Sequence, residues 1–212
     1  MGTTLFFFIF QIIIFTSTIS HGLTQDFCVA DTSLPESPSG YLCKNIENVT
    51  ADDFSFSFEP TNIIDPFKFG VKFGFAPQFH GVNGQGIGLA RIDIAVGGTV
   101  PLHTHPRASE LVLIISGTVV MGFITSDSNM LYQTTLNAND VMIVPRGLQH
   151  FQINTGKVPV TFYAILNNQN PGFQVTSFSM FGNDLSTDMV KSATAVSTSE
   201  IKRLKKLLGG SG

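Results

Sequence analysis

Between residues 88 and 179 the chain is a succession of short β-branched and aromatic runs, and this constrains its fold more than any other feature. The runs are GLARIDIAV, LVLIIS, TVVMGFIT, DVMIVP, HFQIN, VTFYAIL and FQVTSFSM. Turn formers separate them at Gly97-Gly98, Gly117, residues 137–140, residues 145–147 and Gly156. Runs of this length bounded by such residues read as strands. Their spacing indicates an antiparallel sandwich or barrel, not βαβ units. The expectation is an all-β chain. Only 13% of the 212 residues are charged, while Phe and Gly number 20 each, which suits sheets with tight turns. A net charge of −3 implies no basic surface for nucleic acid.

The two ends read differently from the middle. Residues 1–22 hold no Asp, Glu, Lys or Arg, and their core LFFFIFQIIIF is an apolar run of 11 residues followed by TSTIS. That is the length of a signal-peptide core and about half of a membrane span. Cleavage is expected after Ser20 or two residues later, so the mature protein is expected outside the cell, with no membrane span. The opening MGTTLF does not fit myristoylation, because Phe6 stands where Ser or Thr is needed. In an oxidising compartment the only two cysteines, Cys28 and Cys43, read as a disulfide. Closing such a loop stabilises by roughly 3 kcal/mol on the chain-entropy model. Asn48-Val49-Thr50 is a glycan acceptor sequence, with Asn48 as the attachment site.

Residues 25–84 are broken by Pro35, Pro38, Pro60, Pro66 and Pro77 and read as loop-rich, although FSFSF alternates as a half-buried strand does. At the other end, STDMVKSA and STSEIKRLKKLLGG read as helices. The second opens on a Ser197–Glu200 capping box and stops at Gly209. Ile201, Leu204, Leu207 and Leu208 form its apolar stripe, free to pack on this subunit or a neighbour. Lys202, Arg203, Lys205 and Lys206 read as a solvated face. The chain thus divides into a leader (1–22), a disulfide-closed extension with first strands (23–85), a β core (86–180) and C-terminal helices (181–212).

The chemistry concentrates in PLHTHPRASE. On a strand, residues two apart share a face, so His103 and His105 project together. Pro106 ends that strand, and a turn through RAS brings Glu110 back beside them. His150, at the start of HFQIN, joins from an adjacent antiparallel strand. Three imidazoles and a carboxylate are costly to bury alone, and a divalent cation removes the cost. Nitrogen and oxygen donors without thiolate suit a first-row ion and do not choose among manganese, copper and zinc. His21, in or beside the leader, and His80 in APQFHG have no such partners.

These residues resemble a known family. Gly97, His103, His105, Glu110 and Gly117 fit the first cupin motif, G-x5-H-x-H-x4-E-x6-G. Pro145, Gly147, His150 and Asn154 fit the second, G-x5-P-x-G-x2-H-x3-N, with Asn139 in place of its first glycine. QDFCVAD, GYLCK, GVNGQGIGLARID, MFGNDLS and LLGGSG extend the likeness to germin-like proteins of plants along the whole mature chain.

The resemblance implies a single cupin β-barrel (jelly-roll) with short C-terminal α-helices, manganese as cofactor and assembly as a homo-oligomer, a hexamer. It also implies residence in the apoplast and cell wall with a role in defence. Two activities come with it, superoxide dismutation and oxalate oxidation, both yielding hydrogen peroxide. A third reading is a non-catalytic, auxin-binding-like receptor. Oxalate oxidases of the family are thought to hold substrate with two asparagines. Asn83 matches the first and is the candidate contact either to substrate or to the residues behind the metal ligands, while Ala90 stands at the second and cannot donate a hydrogen bond. Losing such a contact to a charged ligand costs about 1.5–3 kcal/mol. Superoxide dismutation is therefore expected ahead of oxalate oxidation.

Overall fold

The computed structural model describes residues 23–212, so the expected leader and His21 lie outside the described residues. In chain order the strands are β1 (Phe69–Gly74), β2 (Gly88–Ile94), β3 (Thr99–Thr104), β4 (Glu110–Ser116) and β5 (Thr118–Ile124). Then come β6 (Leu131–Asn137), β7 (Val141–Val144), β8 (Gln149–Ile153), β9 (Val160–Leu166) and β10 (Gln174–Val175). They form two five-stranded antiparallel sheets, ordered β1-β2-β9-β4-β7 and β10-β3-β8-β5-β6. This is the jelly-roll arrangement of a cupin. Three helices follow: α1 (Thr176–Phe181), α2 (Thr187–Thr194) and α3 (Thr198–Leu208). Among the described residues no helix is long and apolar enough to cross a membrane.

Strand alternation builds the interior. Along β2 and β9 every second residue is buried, which turns Ala90, Ile92 and Ile94 inward with Phe162, Ala164 and Leu166. Val112 and Ile114 of β4 join them in one core with Val100, Val119 and Met121 of the other sheet. Each large side chain buried this way stabilises by about 1.5–3 kcal/mol. Turn residues fix where the strands reverse. Asn139 takes the first motif glycine's place at φ 75°, a left-handed conformation that Asn tolerates, and its N–H donates to Ile114 O at 2.8 Å.

Several local expectations change. FQVTSFSM is a strand only over β10; from Thr176 it becomes α1. FSFSF forms no strand: its rings pack instead, Phe56 stacking on Phe79 at 5.5 Å and Phe58 meeting Tyr163 edge-on at 5.5 Å. β1 arises between Pro66 and Pro77 inside the stretch read as loop, because its partner β2 lies beyond it in sequence. β6 is mostly exposed, with only Leu136 buried, so its sequence carries little alternation.

Cys28 and Cys43 form a disulfide, with Cα atoms 4.8 Å apart. The loop is tied to the body by Ala30 N–H to His80 O at 3.0 Å and by Asn83. His80 lies outside the cluster of candidate metal donors, as its lack of sequence partners implied. Asn48 is exposed at the end of a short 3-10 turn, Ile46–Asn48.

At the C-terminus the helices lie where their sequence patterns put them. Ser197 caps α3 by accepting from Glu200 N–H, but the Glu200 carboxylate is engaged by Arg203 and does not close the box. Ile201 and Leu208 are buried with Phe181 and Val190, and Leu204 packs against them. Leu207, expected in the stripe, is 52% exposed. Lys205, expected in solvent, is 4% exposed, and its ammonium donates to the carbonyls of Asn183 (3.2 Å), Leu185 (2.6 Å) and Ser211. The helix stripe is rotated so that the Lys205 stem replaces Leu207 against the body.

Candidate metal centre

The four predicted donors converge inside the sandwich. His103 on β3 is paired directly with His150 on β8, and their rings lie 3.9 Å apart. His105 sits just past the end of β3, with its ring 5.3 Å from that of His150. The turn after Pro106 returns the chain so that Glu110, the first residue of β4, faces the imidazoles. Its Oε2 is 2.7 Å from His150 Nε2 and 3.6 Å from His105 Nε2. One donor atom from each of the four lies within 4.8 Å of all the others, and every one of these residues is buried.

Backbone contacts set the orientation of each ring. The Nδ1 atoms of His103, His105 and His150 lie 2.8, 2.5 and 2.9 Å from the carbonyls of Pro101, Gly172 and Leu148. A carbonyl only accepts, so each Nδ1 carries a proton and Nε2 is the nitrogen that each ring turns to the interior. Burial drives the His103 pKa down to about 3, helped by the neighbouring His150, so this ring is neutral at physiological pH. His105 is lowered as well, by burial first, against the pull of Glu110. Burial by itself would raise the Glu110 pKa, but the His150 ring at 2.7 Å first, and the charge that His150, His105 and His103 carry when protonated, lower it to about 2, a carboxylate.

Glu110 Oε2 and His150 Nε2 approach closely but not along a hydrogen-bond direction, and neither has another protein partner. Two lone-pair-bearing atoms facing each other at that range fit a shared cation. Three nitrogens and one carboxylate oxygen are a donor set for a first-row divalent ion. The carbonyl behind each imidazole is the support such ligands use.

Around the four donors the cavity is aromatic and small. Phe73, Phe75, Phe162 and Phe173 line it, and its free volume is about 20 Å³. Phe173 packs 4.8 Å from the His103 ring. Ala90 lines this cavity too, so the side chain at position 90 does face the centre.

Asn83 does not line it. Its Nδ2 donates to Cys28 O (3.1 Å) and Tyr41 O (3.0 Å), and its Oδ1 accepts from Tyr41 N–H (3.2 Å) and Gln169 Nε2 (3.1 Å). With both ends of its amide engaged, Asn83 is a clasp on the disulfide loop and has no hydrogen bond left for a substrate. This corrects its expected role. Gln152, which sequence reasoning passed over, lines the cavity beside the histidines. Its signal was a polar residue two after His150, on the buried face of the same strand.

Comparison with known proteins agrees with the fold. Residues 56–202 match the family model described as Cupin. A germin-like protein subfamily 3 member 3 from Arabidopsis thaliana is 48% identical over 204 residues, covering 95% of this chain and 96% of the relative. Auxin-binding protein ABP19b from Prunus persica is 44% identical, covering 96% and 97%. Among solved structures, a recombinant oxalate oxidase in complex with glycolate superposes with a TM-score of 0.84 at 32% identity, covering 88% of this chain and 96% of that one. The fold and its buried donor set define a cupin. Within that class the chain belongs to the germin-like protein family.

Proposed function

We propose that His103, His105, Glu110 and His150 hold one manganese ion and that the protein is a secreted superoxide dismutase of the plant cell wall, forming hydrogen peroxide. When bound, manganese supplies one-electron chemistry by passing between two oxidation states. The chain's own part is to hold the ion with three neutral imidazoles and one carboxylate. It also keeps bulk water away with a ring of phenylalanines.

The observation that carries this reading is the cavity. About 20 Å³ has to hold both the ion and whatever binds it, so only a very small ligand such as the diatomic superoxide fits. Oxalate is larger and would want a donor at position 90, where alanine provides none. Sites for larger organic ligands run to about 300 Å³ or more, so the cavity also disfavours an auxin-binding-like receptor, although a relative bears that name. Secretion is supported by the charge-free leader sequence, the disulfide and the exposed glycan acceptor Asn48.

Assembly as a homo-oligomer, a hexamer, is part of the same proposal. The outer face of β4 and β7 exposes Leu111, Ile115, Val141 and Ile143, and such a patch is a natural contact between copies. The deciding experiment is metal analysis of the native secreted protein with superoxide and oxalate assays on the same sample. Manganese near one per chain with superoxide dismutation is expected; a loaded protein inert toward superoxide sinks the enzyme reading.

A further inference from the structure

Gln152 lies on β8 two residues beyond His150, so the strand's period of two turns both side chains to the same interior. It lines the cavity with His103, His105 and Glu110, and it is 1% exposed. Neither its Oε1 nor its Nε2 meets a protein hydrogen-bond partner. Its register neighbours across the sheet, Val100 and Met121, are apolar. An unpartnered buried carboxamide is a net cost to the fold.

Asn154, two residues further on, shows what a structural amide looks like in this protein. Its Nδ2 donates to the carbonyls of Ile94, Ala95 and Val158, and its Oδ1 accepts from Gly156 N–H. Asn154 clasps two loops together. Gln152, equally buried, clasps nothing, and the space it borders is the cavity of the four donors.

We infer that Gln152 is the hydrogen-bonding contact for the small ligand that enters this cavity, a water molecule or a small oxygen-bearing or halide anion. The inference rests on the metal-centre reading above. Nε2 donates to an anionic ligand, and Oε1 accepts from a protonated one. The carboxamide therefore serves both forms without itself changing charge. The phenylalanine lining strengthens that bond by excluding competing water. The free volume of about 20 Å³, shared with the ion, limits the ligand to a single very small molecule or atom.

The test uses the full-length secreted protein and two apolar replacements of similar size, Gln152→Leu and Gln152→Met. Manganese content, thermal midpoint of the metal-free protein and fluoride affinity are measured for each, the last through the manganese EPR signal. The expected result is unchanged manganese content, a metal-free midpoint equal to or above wild type, and fluoride affinity lower by about tenfold or more. Metal-free variants clearly less stable than wild type would show Gln152 to be a structural residue and overturn the inference. Equal fluoride affinity in manganese-loaded wild type and variants overturns it as well, while leaving the metal centre standing. A wild-type protein that takes up no manganese removes the metal-centre reading itself, and this inference with it.

Discussion

His103 and His150 are cross-strand partners, paired directly between β3 and β8 with their rings 3.9 Å apart. The pairing makes half of the donor set a property of the sheet itself. The other half depends on the turn through residues 106–109, which returns Glu110 to the same interior.

His105 is the donor least supported by strand pairing, since it follows the end of β3 and is steadied by Gly172 O through Nδ1 at 2.5 Å. His105→Ala should lower manganese affinity by more than the 10–100-fold typical of losing a mere supporting contact. Metal analysis after dialysis against a weak chelator measures this. Full occupancy in the variant would refute the ligand set.

Ala90 faces the cavity and is 3% exposed. Ala90→Asn places a donor there and, if the missing contact rather than the cavity's size limits oxalate turnover, raises it by about tenfold or more, the equivalent of 1.5–3 kcal/mol; no gain would leave size as the barrier. The larger side chain also crowds a close-packed interior, so the midpoint should drop by the equivalent of about 1–3 kcal/mol. Robust oxalate oxidation by the unmodified protein would reverse the ranking of the two activities.

Much of the fold could be read from the sequence, because alternation and turn residues are local signals. β2, β4, β5, β8 and β9 each announce themselves within a window of seven residues. β6 does not, because an edge strand with one buried residue has almost no pattern. Nor does α1, whose Thr-Ser-Phe-Ser-Met-Phe composition is strand-like in isolation. The four donors were legible because two short motifs fix both their spacing and their strand context. Asn83 was misread for the opposite reason: its partners Cys28, Tyr41 and Gln169 lie 42 to 86 residues away. Nothing near it in sequence tells which way the amide turns.

Asp93 on β2 offers a pH-dependent prediction. Its carboxylate accepts from Arg91 Nη2 (3.0 Å), from Thr61 N–H (2.9 Å) and from Thr161 Oγ1 (2.7 Å). Burial opposes ionisation, but the bonds from Arg91, Thr161 and Thr61 outweigh it and hold the pKa below the usual 3.8. A carboxylate depressed in the folded state adds stability that is present above its unfolded pKa and is lost as pH falls through the folded one. Asp93→Asn should therefore destabilise by about 1.5–3 kcal/mol at neutral pH. The gap to wild type should begin to narrow below about pH 4 and close only once pH has fallen through the depressed folded pKa. Chemical denaturation at pH 7 and pH 3 checks both parts, and a gap that stays constant would sink the argument.

Lys205 closes the C-terminal helices, because one buried ammonium gathers the carbonyls of Asn183, Leu185 and Ser211. Helix α3 ends at Gly209, and the tail beyond it folds back so that Ser211 N–H also donates to Asn183 O at 3.0 Å. The ammonium is therefore a pin joining the 183–185 segment, helix α3 and the C-terminal tail. Lys205→Met keeps the stem's length and apolar packing while removing all three donated bonds, so lost packing and lost polarity are separated. Asn183 O keeps its bond from Ser211 N–H, and water can reach the carbonyls of the exposed Leu185 and Ser211, so the loss is that of ordinary charge-assisted bonds, about 1–3 kcal/mol in all. The variant should lose about that much stability, and amide exchange in residues 183–212 should quicken while β2 and β9 keep their protection. Lys205→Arg should recover only part of the loss, since a planar fork cannot reach three carbonyls arranged around a compact ammonium. If Lys205→Met unfolds at the wild-type midpoint with unchanged exchange in the tail, then the apolar cluster of Phe181, Val190, Ile201 and Leu208 holds these helices without the pin.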